Sequence, residues 1–172
     1  MTANIEALIR TIPDFPKDGI QFKDITPLLA DAAVFSEALK LMEENARELG
    51  VEAIVGIESR GFLFGVPLAL SLGVPFVPAR KPGKLPSKTV EVEYALEYGT
   101  DKLQMHADAL EKGQRVLVVD DLLATGGTAQ ATVKLIEKVG AKPVGLSILI
   151  ELSFLEGKAR LGDVPVHAIV KY

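Results

Sequence analysis

Two adjacent carboxylates, Asp120 and Asp121, follow the apolar run Val116–Val119 and precede Leu122–Leu123–Ala124–Thr125–Gly126–Gly127–Thr128. Glycines let backbone N–H groups approach an anion, and the threonine hydroxyls add donors. A helix starting at that turn adds favourable partial charge. These are the parts of a phosphate site, and a side chain at Gly127 is expected to take space the phosphate needs. Carboxylates beside a phosphate repel it unless they have other work. Accepting hydrogen bonds from sugar hydroxyls, or supporting a bound Mg²⁺, would supply it. Neither the G-x-x-x-x-G-K-[ST] loop nor the G-x-G-x-x-G fingerprint is present at these glycines.

The elements that must position this loop read as strand and helix in alternation. Val116–Val119 has the character of a buried strand with the two acids at its C-terminal end, where ligands bind in open α/β sheets. A helix follows Gly127 and ends at Val139–Gly140. Val51–Ile57, Val74–Ala79, Pro143–Glu151 and Val166–Val170 are further apolar runs, and Gly61–Leu72 has helical spacing closed by Gly73. The pattern predicts an α/β fold, a central mostly parallel sheet flanked by helices.

Two regions depart from that rhythm. At the start, Ile5, Leu8, Ile9 and Ile12 recur at helical spacing up to Pro13. The stretch Pro13–Gly19 is too rich in Pro and Gly for regular structure, and Ile20–Pro27 reads as extended. Asp31 then suits the N-cap of a helix to about Leu49, stopped by Gly50. Farther on, Val90, Val92, Tyr94, Leu96 and Tyr98 alternate, as do Leu103, Met105 and Ala107 beyond Gly99–Thr100. That predicts an antiparallel hairpin inserted in a parallel fold, an excursion that is usually functional. With no repeat or linker, residues 1–172 are read as one domain.

Composition narrows the classes. The chain has 172 residues, 48% hydrophobic and 24% charged, as in an ordinary globular protein. A net charge of −4 argues against nucleic acid as the main partner. No cysteine is present, which excludes disulfides and thiolate metal sites. Without a signal-like start or a membrane-length apolar run, the expectation is a cytoplasmic protein that does not enter a membrane. His106 and His167 fit no metal or triad pattern, and His106 is expected to serve structure or an interface.

The segment Asp120–Thr128 resembles the phosphoribosyl pyrophosphate (PRPP) motif of the type I phosphoribosyltransferases. Further pieces occur in the order and spacing of that family's adenine-using members. They are Pro13–Asp14–Phe15–Pro16 with Gly19, Phe22–Pro27, Glu58–Gly65, Arg80–Pro86 and Leu96–Gly99. The resemblance implies a purine salvage transferase that makes AMP and pyrophosphate from adenine and PRPP, with Mg²⁺ held mainly through PRPP. It implies a homodimer, an N-terminal hood over about residues 1–30 and a flap over about 80–107.

Residue by residue, it implies that Ala124, Thr125, Gly126, Gly127 and Thr128 cradle the 5′-phosphate while Asp120 and Asp121 hold the ribose hydroxyls. Ser59 and Arg60 would form a pyrophosphate loop in which this family often has a non-proline cis peptide, aided by Arg80, Lys81 and Lys84. Phe22 and Leu122 would sandwich the purine, and backbone groups around Gln21 would read its edge. Lys23 stands where many relatives carry Arg and cannot reproduce a planar guanidinium fork. Glu97, with Tyr98 beside it in the flap, would handle the purine's proton. Relatives acting on other bases lack the hood pieces, and a non-catalytic PRPP sensor would be expected to carry a nucleic-acid-binding module or a basic face.

Overall fold

The computed structural model describes residues 2–95 and 99–172, which form two compact units, Met1–Leu41 and Met42–Tyr172. In the first, helix α1 (Thr2–Ala7) precedes an antiparallel pair, β1 (Arg10–Pro13) and β2 (Gln21–Asp24), with Ile12 opposite Phe22. The expected helix through Ile12 therefore stops at Ala7. A six-residue helix is marginal by itself, and pairing with β2 draws Arg10–Pro13 into a strand. The turn between them holds a cis Phe15–Pro16 bond, and the Asp14 carboxylate accepts the Gly19 N–H at 2.8 Å.

Thr26–Pro27, expected to be extended, instead opens helix α2 (Thr26–Ala30). Proline is tolerated in a first helical turn because its missing N–H would have no intrahelical partner there. The Asp24 carboxylate takes both the Thr26 N–H (2.9 Å) and the Thr26 hydroxyl (2.6 Å). Asp31 does cap the next helix, α3 (Ala32–Glu48), by accepting from the Ala33 and Val34 N–H groups at 3.0 and 3.1 Å.

The second unit carries the parallel sheet. Its strands are β3 (Ala53–Ile57), β4 (Phe76–Ala79), β7 (Arg115–Leu123), β8 (Lys142–Glu151) and β9 (Val166–Lys171), in the order β4-β3-β7-β8-β9. Every neighbouring pair is parallel, and β3 is buried throughout. Helix α5 (Gly127–Lys138) and the hairpin β5 (Thr89–Ala95) and β6 (Thr100–His106) share one core with Val55, Ile57, Val116 and Val118. Helix α4 (Gly61–Leu72) serves the opposite face, where Gly65 lies against Ile54 and Phe76. The hairpin pairs Val90 with Met105 and Val92 with Leu103, so its apolar face packs on the core as the alternation implied.

Strand β7 is longer than expected. It continues through Asp120 and Asp121 to Leu123, because Leu122 and Leu123 still pair with Ile150 and Glu151 of β8. The two acids are thus set on ladder backbone rather than on a free loop.

Candidate active site

Beyond the ends of β3 and β7, a cavity of about 390 Å³ is lined by Glu58–Arg60, Lys81, Tyr94, Asp120–Leu122 and Thr128, among others. Each arrives on a different element. Glu58–Ser59 is a cis peptide between β3 and α4, in the loop where the resemblance implied one. Gly61 starts α4 against the backbone of β7: a Cβ there would meet the Val119 carbonyl oxygen at 2.6 Å. Only glycine lets the helix begin this close, and that approach brings Arg60 to the acids. Arg60 Nε lies 3.0 Å from Asp121 Oδ2.

The carboxylates are not equivalent. Burial and the neighbouring Asp121 charge push the Asp120 carboxyl well above the usual range. Burial raises Asp121 too, against the opposing pull of the Arg60 guanidinium. Asp120 Oδ1 accepts the Asp121 N–H at 2.9 Å. Glu58 behaves in the opposite way. Burial would raise it, but Arg80 Nη2 and the Lys81 N–H both donate to it at 2.8 Å, and the Arg80 and Lys84 charges add to the pull, leaving it below the usual range. Lys81 Nζ pairs with Asp101, donates to the Tyr94 hydroxyl at 3.3 Å, and lies 5.8 Å from the Tyr94 ring centre.

A smaller adjoining cavity of about 100 Å³ is formed by Asp120 and Leu122–Ala129. Gly126 is the N-cap of α5 with φ +83°, and no side chain caps that end, which leaves the helix's positive end for an anion. The loop rests on the 3-10 turn Gly157–Leu161. A Cβ on Gly126 would overlap the Gly157 carbonyl, and one on Gly157 would overlap the Ala124 carbonyl. A Cβ on Gly127 would come within 3.4 Å of Ala95 O and Tyr94 Cδ2, at the edge of ordinary contact.

The structure therefore gathers Ser59, Arg60, Lys81, Asp120, Asp121, Leu122 and Thr128 around one cavity, and Ala124–Thr128 around the other. Arg80 is engaged by Glu58, and its Nη1 donates to the Lys84 carbonyl at 3.3 Å; the Lys84 side chain is exposed. In the first unit, Gln21, Phe22 and Lys23 lie on β2. The Phe22 ring stands edge-on to Phe15 at 5.1 Å, and Lys23 Nζ donates to the Thr11 hydroxyl at 2.9 Å. Glu97 and Tyr98 lie outside the described residues. Sequence reasoning missed Glu58, Tyr94, Asp101 and Gly157. Tyr94 and Asp101 face each other in the hairpin register, a pairing that a turn at Gly99–Thr100 did not predict, and Gly157 offered no local signal.

The phosphoribosyl transferase domain family matches residues 26–164. The chain is 56% identical over 169 residues to the adenine phosphoribosyltransferase of Desulfitobacterium hafniense, covering 98% of each. A crystal structure of adenine phosphoribosyltransferase from Thermoanaerobacter pseudethanolicus superposes with a TM-score of 0.97 at 49% identity, covering 100% of both chains. The Saccharomyces cerevisiae enzyme, complexed with D-2,5-dideoxy-2,5-imino-altritol 1,6-bisphosphate and adenine, gives a TM-score of 0.91 at 40% identity, covering 98% of this chain and 97% of that one. Among the described residues, no helix is long and apolar enough to cross a membrane.

Proposed function

Because this chain belongs to the phosphoribosyltransferase family, we propose that its paired cavities are the PRPP site of a purine salvage enzyme. The enzyme transfers the 5-phosphoribosyl group from PRPP to adenine, giving AMP and pyrophosphate. The observation that carries the site assignment is the shared cavity, lined by Arg60 and Lys81 together with Asp120, Asp121 and Thr128.

The 5′-phosphate is assigned to the α5 N-terminus, where the loop N–H groups and the threonine hydroxyls donate. The ribose hydroxyls go to Asp120 and Asp121. Holding sugar hydroxyls gives these acids hydrogen-bond donors that offset part of the cost of their burial. The pyrophosphate goes to Ser59, Arg60 and Lys81, with Arg80 and Lys84 beside them. Charge building on the leaving group as the anomeric carbon turns oxocarbenium-like is met by these cations in a partly enclosed space. Mg²⁺ would be held mainly through PRPP itself, with Asp120 and Asp121 left to the ribose hydroxyls. When bound, Mg²⁺ neutralises part of the pyrophosphate charge.

Base recognition is assigned to Gln21, Phe22, Lys23 and Leu122, and proton handling on the purine to Glu97 with Tyr98 beside it. These roles follow the family resemblance. The whole chain acts as one phosphoribosyltransferase domain in a cytoplasmic homodimer, without nucleic-acid or membrane partners.

Pyrophosphate release with PRPP, Mg²⁺ and each base in turn tests the reading. Adenine is expected to react at least about a hundredfold more efficiently than hypoxanthine or guanine, because a site pairing with a 6-amino edge leaves buried groups unpaired against a 6-oxo base. Equal rates with adenine and hypoxanthine would overturn it.

A further inference from the structure

Lys81 lines the cavity, yet its ammonium already has an anion of its own. Asp101, on the second strand of the hairpin, pairs with it, and Tyr94 accepts from it at 3.3 Å. Asp101 and Tyr94 face each other across the hairpin register, and the Tyr94 hydroxyl donates to Asp101 Oδ2 at 3.4 Å. Thr128, in the phosphate loop, donates to the same hydroxyl at 3.5 Å. The Lys81 backbone is fixed separately, through its N–H to Glu58. A lysine pinned at its backbone, with a partly exposed head, has two places to put its charge: on Asp101, or on an anion inside the cavity.

We propose that Asp101 is a positioning residue that acts as the resident counter-ion of Lys81, withholding it from the empty pyrophosphate site and yielding it when a pyrophosphate group arrives. This rests on the site assignment above. The pair suits exchange because its side chains are 43% and 28% exposed, so either head group can be resolvated at small cost. Pyrophosphate carries several negative charges against one on Asp101, and it wins the competition when present. When it leaves, Asp101 recaptures the lysine. The contact therefore weakens pyrophosphate binding and favours its release. Through Tyr94, the exchange also reaches the phosphate loop at Thr128.

Calorimetric titration of the full chain with inorganic pyrophosphate and Mg²⁺ tests the proposal without turnover. Asp101→Asn keeps the shape and removes the charge, and pyrophosphate is expected to bind about fivefold more tightly, the upper range for one exposed charge contact. Asp101→Glu is expected to restore the parent affinity. In the Lys81→Met background, Asp101→Asn is expected to change pyrophosphate affinity by less than about 1.5-fold, because the coupling is gone. A purely structural ion pair would lower the melting temperature of Asp101→Asn and leave pyrophosphate affinity within about 1.5-fold of the parent. That result overturns the proposal, and so does weaker binding by the Asn variant. If the parent chain itself fails to bind pyrophosphate, the site assignment falls as well, so the two failures are distinct.

Discussion

Arg60 Nε and Asp121 Oδ2 stand 3.0 Å apart, with the Asp121 side chain 5% exposed and that of Arg60 37% exposed. This ion pair joins the start of α4 to the end of β7, and it divides the adjacent acids into one that is paired and one whose ionisation is opposed by burial and by its neighbour. Removing either carboxylate should damage the reaction, and because both carboxyls are raised, neither charge is expected to favour folding of the ligand-free chain.

Asp121→Asn removes a raised carboxyl too, but it also takes one partner from Arg60, so any gain in stability is expected to be smaller than for Asp120→Asn. Asp120→Asn removes a carboxyl whose folded-state pKa is raised. Such a group opposes folding at pH values above its unfolded pKa, so the ligand-free variant is expected to gain about 1 kcal/mol near pH 7. Thermal unfolding of both variants without ligand checks this order. The KM for PRPP is expected to rise at least about tenfold in each.

Gly157→Ala alters no residue of the phosphate loop, but its Cβ would overlap the Ala124 carbonyl. The loop must shift, and AMP affinity is expected to fall about tenfold or more, since donors moved by about 1 Å lose a productive geometry. AMP titration by calorimetry decides. Parent-like binding would mean that the turn does not support the cradle.

Glu97→Gln is expected to lower kcat about a hundredfold or more with PRPP affinity hardly changed, the pattern of an interaction made in the transition state. Pyrophosphate release and PRPP titration measure the two constants. A kcat within about threefold of the parent would leave the flap acting by closure alone.

Asp24 offers a pH test in the first unit. Its carboxyl is held at about 2, below the ordinary 3.8, by hydrogen bonds from the Thr26 hydroxyl, Arg10 and the Thr26 N–H. A depressed carboxylate stabilises above its unfolded pKa and loses that contribution as pH falls through the folded value. Asp24→Asn is therefore expected to be less stable than the parent by about 1 kcal/mol at pH 6, with the gap closing between about pH 4 and pH 2. Denaturant midpoints across that range check it.

The strands and helices of the second unit were legible because continuous apolar runs and glycine stops leave few alternatives. Gly73 and Gly140, both with positive φ, stand where the chain predicted helix ends. The phosphate loop was legible because its chemistry is local. Arg10–Pro13 was misread since four residues fit either period, and only its partner Gln21–Asp24 decides between them. Asp101 and Gly157 were silent for a similar reason: each acts on a residue brought to it by folding, Lys81 in one case and the Ala124–Gly126 backbone in the other.

The seat of the phosphate loop on Gly157 bears on the order in which the chain becomes competent during synthesis. Domains form as the polypeptide emerges, N-terminal parts first, and Asp120–Thr128 leaves the ribosome well before the turn beneath it. A nascent chain ending at Glu151 would possess every loop residue and the strand that pairs with β7, but no floor under Gly126. Ligand capture is then delayed until the last part of the chain has emerged and docked. An early PRPP-loaded intermediate is not expected, and a stop codon directly after Glu151 should abolish binding without touching one loop residue.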